Sequence, residues 1–233
     1  MKKIYLIILV IVITLPVKAQ NLIMADYKRF HFGFCLGINM MDYGIRNSLI
    51  NQNGTVYQAE VSVPMPGFTV GVLGDVRLNN YFNLRLVPTL SLGERTLTYM
   101  NNVNDDLYKT TLKSTVISVP ILLKYNAVRI NNYRPYLIAG GGVALELSHD
   151  KTKPILQKYT DFYVEVGVGC TFYTEYFRFA PELKFAIGLR NVHTPWETRL
   201  ADGSSYLDPT FEPYSRAISR LTTRLFSLVF NFE

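Results

Sequence analysis

Residues 162–172 read FYVEVGVGCTF, and this stretch decides the fold. Its even-numbered positions carry Phe, Val or Cys, whereas its odd-numbered positions carry Tyr, Glu, Gly or Thr. Because successive side chains of a strand point to opposite faces, this alternation predicts a β-strand with one apolar face and one face of mostly small or polar residues.

The same alternation occurs eight times along the chain. The stretches are 32–40, 68–78, 84–95, 115–125, 135–147, 162–172, 178–189 and 224–233. Short connections (79–81, 127–134, 173–176) alternate strictly with long, polar ones (43–67, 99–113, 148–161, 190–221). Outer-membrane barrels have this arrangement, with short periplasmic turns and longer external loops. The sequence therefore predicts an all-β fold, an eight-stranded antiparallel transmembrane β-barrel of the outer-membrane type, with both termini on the periplasmic side.

The composition agrees with a barrel. The 233 residues are 13% aromatic and only 18% charged, and the mean hydropathy is +0.11. No internal apolar run approaches the roughly 18 residues of a helical span. A barrel combines high hydropathy with short apolar runs, because its lipid-facing residues alternate with polar lumen residues.

The polar faces distinguish a membrane barrel from a soluble β-sandwich, which also alternates. These faces carry glycines and charges of both signs, and the interior of an eight-stranded barrel is just wide enough to be filled by side chains. No open pore is therefore expected. Since buried charges are tolerated when they are paired, we predict a structural ion-pair plug in the lumen. Its predicted members are Asp75, Arg77, Arg85, Lys124, Glu146, Glu165, Glu182 and Lys184.

Aromatic residues crowd the short turns, where an interfacial girdle is expected. The predicted girdle consists of Tyr81, Phe82, Tyr125, Tyr133, Tyr136, Tyr173, Tyr176 and Phe177.

The N-terminus has the pattern of a secretory signal. A basic start at Lys2 and Lys3 precedes the apolar run 4–15, and Val17-Lys18-Ala19 ends in a small residue. We predict a signal peptide at 1–19 with cleavage after Ala19, a periplasmic lead at 20–30 and the outer-membrane barrel at 31–233. The alternative is an uncleaved membrane anchor.

Loss of the signal changes the charge. Three lysines and no acids leave with it, so the formal net charge falls from +6 to +3, and we expect no nucleic-acid partner. Cys35 and Cys170 are the two cysteines. In an exported protein they could form a disulfide, although thiols in separate strands are more often small strand residues, so both readings stay open.

Catalysis has little support in the sequence, and we predict no enzyme activity, cofactor or metal site. Ser148-His149-Asp150 contains the residue types of a hydrolase triad, but the side chains of adjacent residues diverge. Glu146, Glu165 and Glu182 could be acid/base residues, as in outer-membrane lipid hydrolases. The plug is the favoured interpretation, because several lumen cations lie near them in the pattern.

Two groups of residues go beyond a generic barrel. Residues 119–125 (VPILLKY) and 134–142 (RPYLIAGGG) resemble the small outer-membrane barrels typical of Bacteroidetes. Residues 176–185 (YFRFAPELKF), 188–191 (GLRN) and 224–233 (RLFSLVFNFE) are similar to the PorT family. The resemblance spans the mature chain, and the Pro181-Glu182 strand and the long last loop are its more specific parts.

The PorT resemblance implies a non-enzymatic outer-membrane barrel required for protein secretion or maturation by a type IX secretion system. Its expected partners are outer-membrane lipid and other cell-envelope proteins of the secretion machinery, reached through the outer loops or the periplasmic turns. The alternative is a structural barrel or adhesin that binds an external partner through its outer loops.

Overall fold

The computed structural model describes residues 28–52, 54–61, 64–101, 108–148, 153–201 and 208–233. The predicted signal peptide and residues 20–27 of the lead lie outside these ranges, as do His149 and Asp150. In the described ranges, no helix has the length and apolar character needed to cross a membrane, a finding that does not bear on spanning by β-strands.

The described chain is mainly antiparallel sheet. The strands are β1 (Phe30–Asn47), β2 (Asn51–Gln52), β3 (Thr55–Val61), β4 (Pro66–Arg77), β5 (Phe82–Leu86), β6 (Thr89–Asn101), β7 (Tyr108–Asn126), β8 (Tyr133–Glu146), β9 (Thr160–Tyr173), β10 (Arg178–Gly188) and β11 (Ile218–Phe232). Helices α1 (Trp196–Ala201) and α2 (Glu212–Arg216), with a 3-10 turn at Pro209–Phe211, lie in the last long connection.

The sheet closes on itself. β1 pairs with β11 on one side and with β4 on the other, and each pairing is antiparallel. β5 and β6 form a single barrel strand, because both pair with β4 and β7 in a continuous register. The interruption falls at Val87 and Pro88, next to Pro120 of β7, and neither proline has an N–H to donate. Eight strands therefore surround the lumen, and the predicted eight-stranded barrel is confirmed.

The two faces of the strands follow the predicted alternation. Outward residues are exposed, as at Val72 (60%) and Ile121 (57%), whereas Asn39 and Ser91 of the inward set are each 1% exposed. Cys35 faces the lumen on β1, Cys170 lies on β9 with β11 and β10 between the two strands, and both thiols are free. The structure therefore supports the interpretation of two separate strand cysteines.

The strands extend further on the long-loop side than the sequence predicted. Residues predicted as loops at 43–67 and 99–113 contain parts of β1, β4, β6 and β7 and all of β2 and β3. Here the polarity of the alternation inverts: Leu97, Tyr99 and Leu112 point inward into an apolar core, whereas Thr96 and Thr111 point outward. This inversion is expected where a barrel leaves the membrane, because water then replaces lipid on the outside.

One line in the wall lacks a ladder. β3 continues the sheet beyond β4 by pairing with β6, but β1 pairs with β4 only as far as Met40 and shares no ladder with β3 in the described residues. We call the line between Met41–Asn47 and β3 the seam. It begins beside Pro64 and Pro66, which lack N–H donors, and a side chain bridges it, because Asn47 Oδ1 accepts from Ala59 N at 3.0 Å.

Candidate functional site: the charged lumen

The structure brings six of the eight predicted lumen charges together. Asp75, Arg85, Lys124, Glu165, Glu182 and Lys184 are connected by ion pairs near the short-turn end of the lumen. Arg178 and Glu233 complete the group, which we call the ion network. Four acids face four bases, so the network is formally neutral, as buried charges require.

Arg85 is the hub of the ion network. Its guanidinium lies 3.0 Å from Asp75, 3.0 Å from Glu182 and 2.6 Å from Glu233, and its side chain is 0% exposed. These three acids come from β4, β10 and the end of the chain, so one planar guanidinium fork ties together strands from opposite sides of the barrel.

Several donors surround the Glu182 carboxylate. Its Oε2 accepts from Arg85, from the Tyr136 hydroxyl at 2.7 Å and from Asn231 Nδ2 at 3.3 Å. Its Oε1 lies 3.0 Å from Lys184 Nζ. The residue is 1% exposed and surrounded by protein donors, which suits an ion-pair plug better than a group that exchanges protons with a substrate.

Sequence reasoning left Glu233 and Arg178 out of the predicted plug. Arg178 Nη2 lies 2.5 Å from Glu233 Oε2, and the backbones of the two residues also pair. The sequence pattern could have indicated Glu233, since the alternation of the last strand places it on the inward side with Asn231. Glu182 pairs with Arg85 and Lys184, whereas Arg178 pairs with Glu233.

Two aromatics assigned to the girdle belong inside. Tyr136 and Tyr173 are 3% and 6% exposed, whereas Tyr81, Tyr125, Tyr133, Tyr176 and Phe177 are exposed. Tyr136 also lies under Lys124, whose Nζ is 4.2 Å from the ring centroid. Its inward direction follows from the phase of β8, since Leu137 points outward and neighbouring residues of a strand face opposite sides.

Two predicted plug members lie elsewhere. Arg77 stands at a short turn, where its guanidinium donates to Asn79 O at 3.2 Å and to Asn80 Oδ1 at 2.5 Å. Because β4 ends at Arg77, this side chain lies at the edge of the barrel and not among the inward side chains of the lumen. Glu146 is buried near the long-loop end, where it accepts from Ser114 Oγ and Thr115 N, each at 2.9 Å.

An apolar layer follows the ion network toward the long loops. Leu73, Leu122, Ile138 and Val229 each lie two residues further along from Asp75, Lys124, Tyr136 and Asn231, and they form one buried cluster with Cys35, Val87 and Ala180. The lumen is thus filled by the ion network together with this adjacent apolar cluster.

Two long connections meet over the other end of the barrel and form the lid (residues 153–158 and 189–199). Lys158 N donates to Val192 O at 2.8 Å and Thr194 N donates to Leu156 O at 3.0 Å. The Arg199 guanidinium donates to Pro154 O at 2.7 Å and to Lys153 O at 2.9 Å. These bonds bind one connection to the other, so the lid is a single braced unit.

His193 is buried within the lid. Burial, reinforced by the nearby cations Arg199 and Lys158, lowers the pKa of its imidazole to about 4. His193 is therefore neutral in the folded lid at neutral pH. In the described ranges, no group of three or more His, Cys, Asp or Glu side chains is placed to hold a metal ion.

Comparisons with known proteins found similar solved structures and one matching family model. The crystal structure of the outer membrane protein OprG from Pseudomonas aeruginosa is similar at a TM-score of 0.45 and 13% identity, over 86% of this chain and 92% of that one. Neisserial surface protein A (NspA) is similar at a TM-score of 0.43 and 9% identity, over 88% of this chain and 98% of that one. No curated protein matches the chain. A family model described as outer membrane protein beta-barrel domain matches residues 18–194, and the chain therefore belongs to this family and is a protein of the outer membrane.

Proposed function

We propose that this outer-membrane barrel is a non-enzymatic, PorT-like component required for protein secretion or maturation by a type IX secretion system. The observation that carries the proposal is the stretch 176–185, whose YFRFAPELKF sequence resembles PorT. This stretch opens β10 and supplies Arg178, Glu182 and Lys184 to the ion network. The segment that suggests the family is thus also the one that fills the lumen.

A filled lumen bears on how such a component would act. The ion network, the apolar layer and the lid occupy the barrel interior, and an eight-stranded barrel leaves little space beyond its side chains. Cargo would therefore not pass through this barrel. The surfaces available to other envelope proteins are the lid, the long-loop ends of the strands and the short turns.

Deletion of the gene in its own bacterium, followed by analysis of the proteins released into the medium, tests the proposal. Loss of secreted proteins, restored by the intact gene, supports it. Normal secretion in the deletion strain contradicts it.

The braced lid favours one alternative, a structural barrel or adhesin that binds an external partner. Arg199 fixes the lid from inside, and a fixed surface binds at a lower entropic cost than a mobile loop. Under this alternative, secretion stays normal, and replacing the lid residues abolishes adhesion while the barrel still folds.

A further inference from the structure

A partly enclosed chamber lies beneath the lid, apart from the ion network except where Glu165 borders both. Its volume is about 60 Å³, and its walls include Arg95, Glu146, Asp161, Tyr163 and Glu165, together with apolar residues such as Met41 and Leu225. A buried water needs roughly 10–15 Å³ of such solvent-accessible space, so the chamber has room for roughly four to six waters or a small ligand of that size.

Asp161 is the unusual residue of this chamber. It is 5% exposed, and its Oδ2 accepts from the Thr223 hydroxyl at 2.5 Å. Its Oδ1 is buried without a hydrogen-bond partner, and no ion pair to Asp161 forms within the part of the chain that the structure describes. A buried carboxylate is costly unless a cation or several donors compensate it.

The charged neighbours of Asp161 are already engaged. Glu165 pairs with Lys184 at 3.3 Å, and Lys158 Nζ donates to Asn191 O at 3.2 Å. Arg95 Nη1 donates to Ser114 Oγ at 3.1 Å, and its guanidinium stacks 4.3 Å from the centre of the Tyr43 ring. Asp161 Oδ1 is thus an unpaired acceptor in the chamber wall, where Arg95 Nε also lacks a hydrogen-bond partner.

The register of the strands builds the empty space. Ala144 of β8 is the partner of Asp161, Gly142 and Gly188 flank Tyr163, and Gly140 and Ala186 flank Glu165. A β carbon on Gly188 would collide with Asp161 Oδ2 and Thr223 Oγ1. Small residues thus stand opposite the large polar side chains of β9 at three successive inward positions, which leaves the space in front of Asp161 open.

We propose that the chamber binds a small ammonium-type cation, whose N–H donates to Asp161 Oδ1. A cationic donor supplies both the charge and the hydrogen bond that this carboxylate lacks. A short alkyl group on the nitrogen would contact the apolar wall formed by Met41, Ala144 and Leu225. Methylammonium, with two non-hydrogen atoms, fits the volume and serves as the probe.

Thermal unfolding of the refolded barrel in detergent tests this binding. The transition is recorded with increasing methylammonium chloride, and with sodium chloride and tetramethylammonium chloride at matched ionic strength. We expect a saturable rise in the midpoint with methylammonium alone, because neither sodium nor tetramethylammonium has an N–H that could donate to Asp161 Oδ1. An equal rise with sodium, or no saturable rise with methylammonium, overturns the proposal.

Two variants separate the chamber from the rest of the protein. Asp161→Asn removes the charge and Ala144→Val fills the space, and each should weaken methylammonium binding at least tenfold. Glu60→Gln, which removes one exposed acid of β3, is the matched control and should bind like the unmodified protein. Unchanged binding by Asp161→Asn contradicts the assignment of the site.

A measurement on the unmodified barrel keeps the test decisive if a variant fails to fold. With ¹³C-methylammonium, nuclear Overhauser contacts from the bound methyl group to the Ala144 methyl group support the site. Saturable binding without such contacts contradicts it.

Discussion

Arg85 Nη1 donates to Glu182 Oε2 over 3.0 Å, although the two residues are 97 positions apart in the sequence and both are fully buried. This bond crosses the lumen and joins the β5–β6 strand to β10, which lie on separate arcs of the wall. The interior of the barrel is therefore held by a bond that the backbone ladders do not supply.

Replacing Glu182 by Gln tests what that bond contributes. Removal of one partner of a buried ion pair costs roughly 3–5 kcal/mol, and Gln reduces the loss because it still accepts from Tyr136 and Asn231. We expect a lower free energy of unfolding with secretion intact, measured by denaturant titration and by analysis of the medium. Glu60→Gln is the control for charge loss, and a Glu182→Gln protein of unchanged stability that no longer functions would show a chemical role.

The register of the strands predicts opposite outcomes for neighbouring positions. Arg in place of Leu90, Val119 or Phe185 places a charge in lipid and should destabilise the barrel by roughly 2–4 kcal/mol near the midplane. Arg in place of Thr89 or Ser118, whose hydroxyls bond each other at 2.6 Å inside, should be limited by volume instead. Comparison of unfolding in thin and thick bilayers separates the mechanisms, since only the outward set should depend on lipid thickness.

The lid should loosen in mild acid. The pKa of His193 is about 4 in the folded lid against 6.5 in an exposed chain, so protons bind preferentially to the open form. The contribution of neutral His193 to stability is complete above pH 6.5 and is lost progressively as the pH falls toward 4. Trp196, the single tryptophan, is buried in α1 and reports opening by its fluorescence.

His193→Gln is the control for that titration, because Gln carries no charge over this pH range. We expect its fluorescence to stay constant between pH 7 and 4. A transition of the same size and midpoint in both proteins would assign the change to another group.

The N-terminus of the exported protein gives a fourth prediction. We expect the mature chain to start at Gln20 and to migrate differently on gels before and after heating, as folded outer-membrane barrels do. N-terminal sequencing of the protein from outer-membrane fractions measures the first point. A chain that starts at Met1 in the soluble periplasm would contradict the prediction.

The alternation of large apolar and polar residues was enough to predict eight barrel strands and the direction of side chains such as Glu182 and Val119. Every such residue lies where lipid faces one side of the wall, so the period of two is visible in the sequence. The expectation that large apolar residues face outward does not hold at Leu97 and Tyr99. Beyond the membrane, water surrounds the outside of the wall, so the apolar side chains face inward.

The ion network was predictable as a group and not as a set of pairs. An inward charge is visible in the sequence, but its partner depends on how the strands are staggered around the barrel, which a single sequence does not encode visibly. Glu182 thus meets Arg85 and Lys184, whereas Arg77, only two residues beyond Asp75, reaches the rim. The alternation placed Glu233 on the inward face. Because Glu233 is the last residue of the given sequence, no following residues extend the pattern around it.

The seam gives the two halves of the barrel different mechanics. Toward the short turns, every strand is hydrogen-bonded to two neighbours, so the sheet is closed around its circumference and cannot widen without breaking backbone hydrogen bonds. Between Met41–Asn47 and β3, the described residues form no backbone ladder, and the Asn47 side chain connects the two edges. The long-loop half can therefore expand radially when that contact is released. Under heat or tension, strand separation would begin at the seam and end at Met40, where β4 pairs with β1.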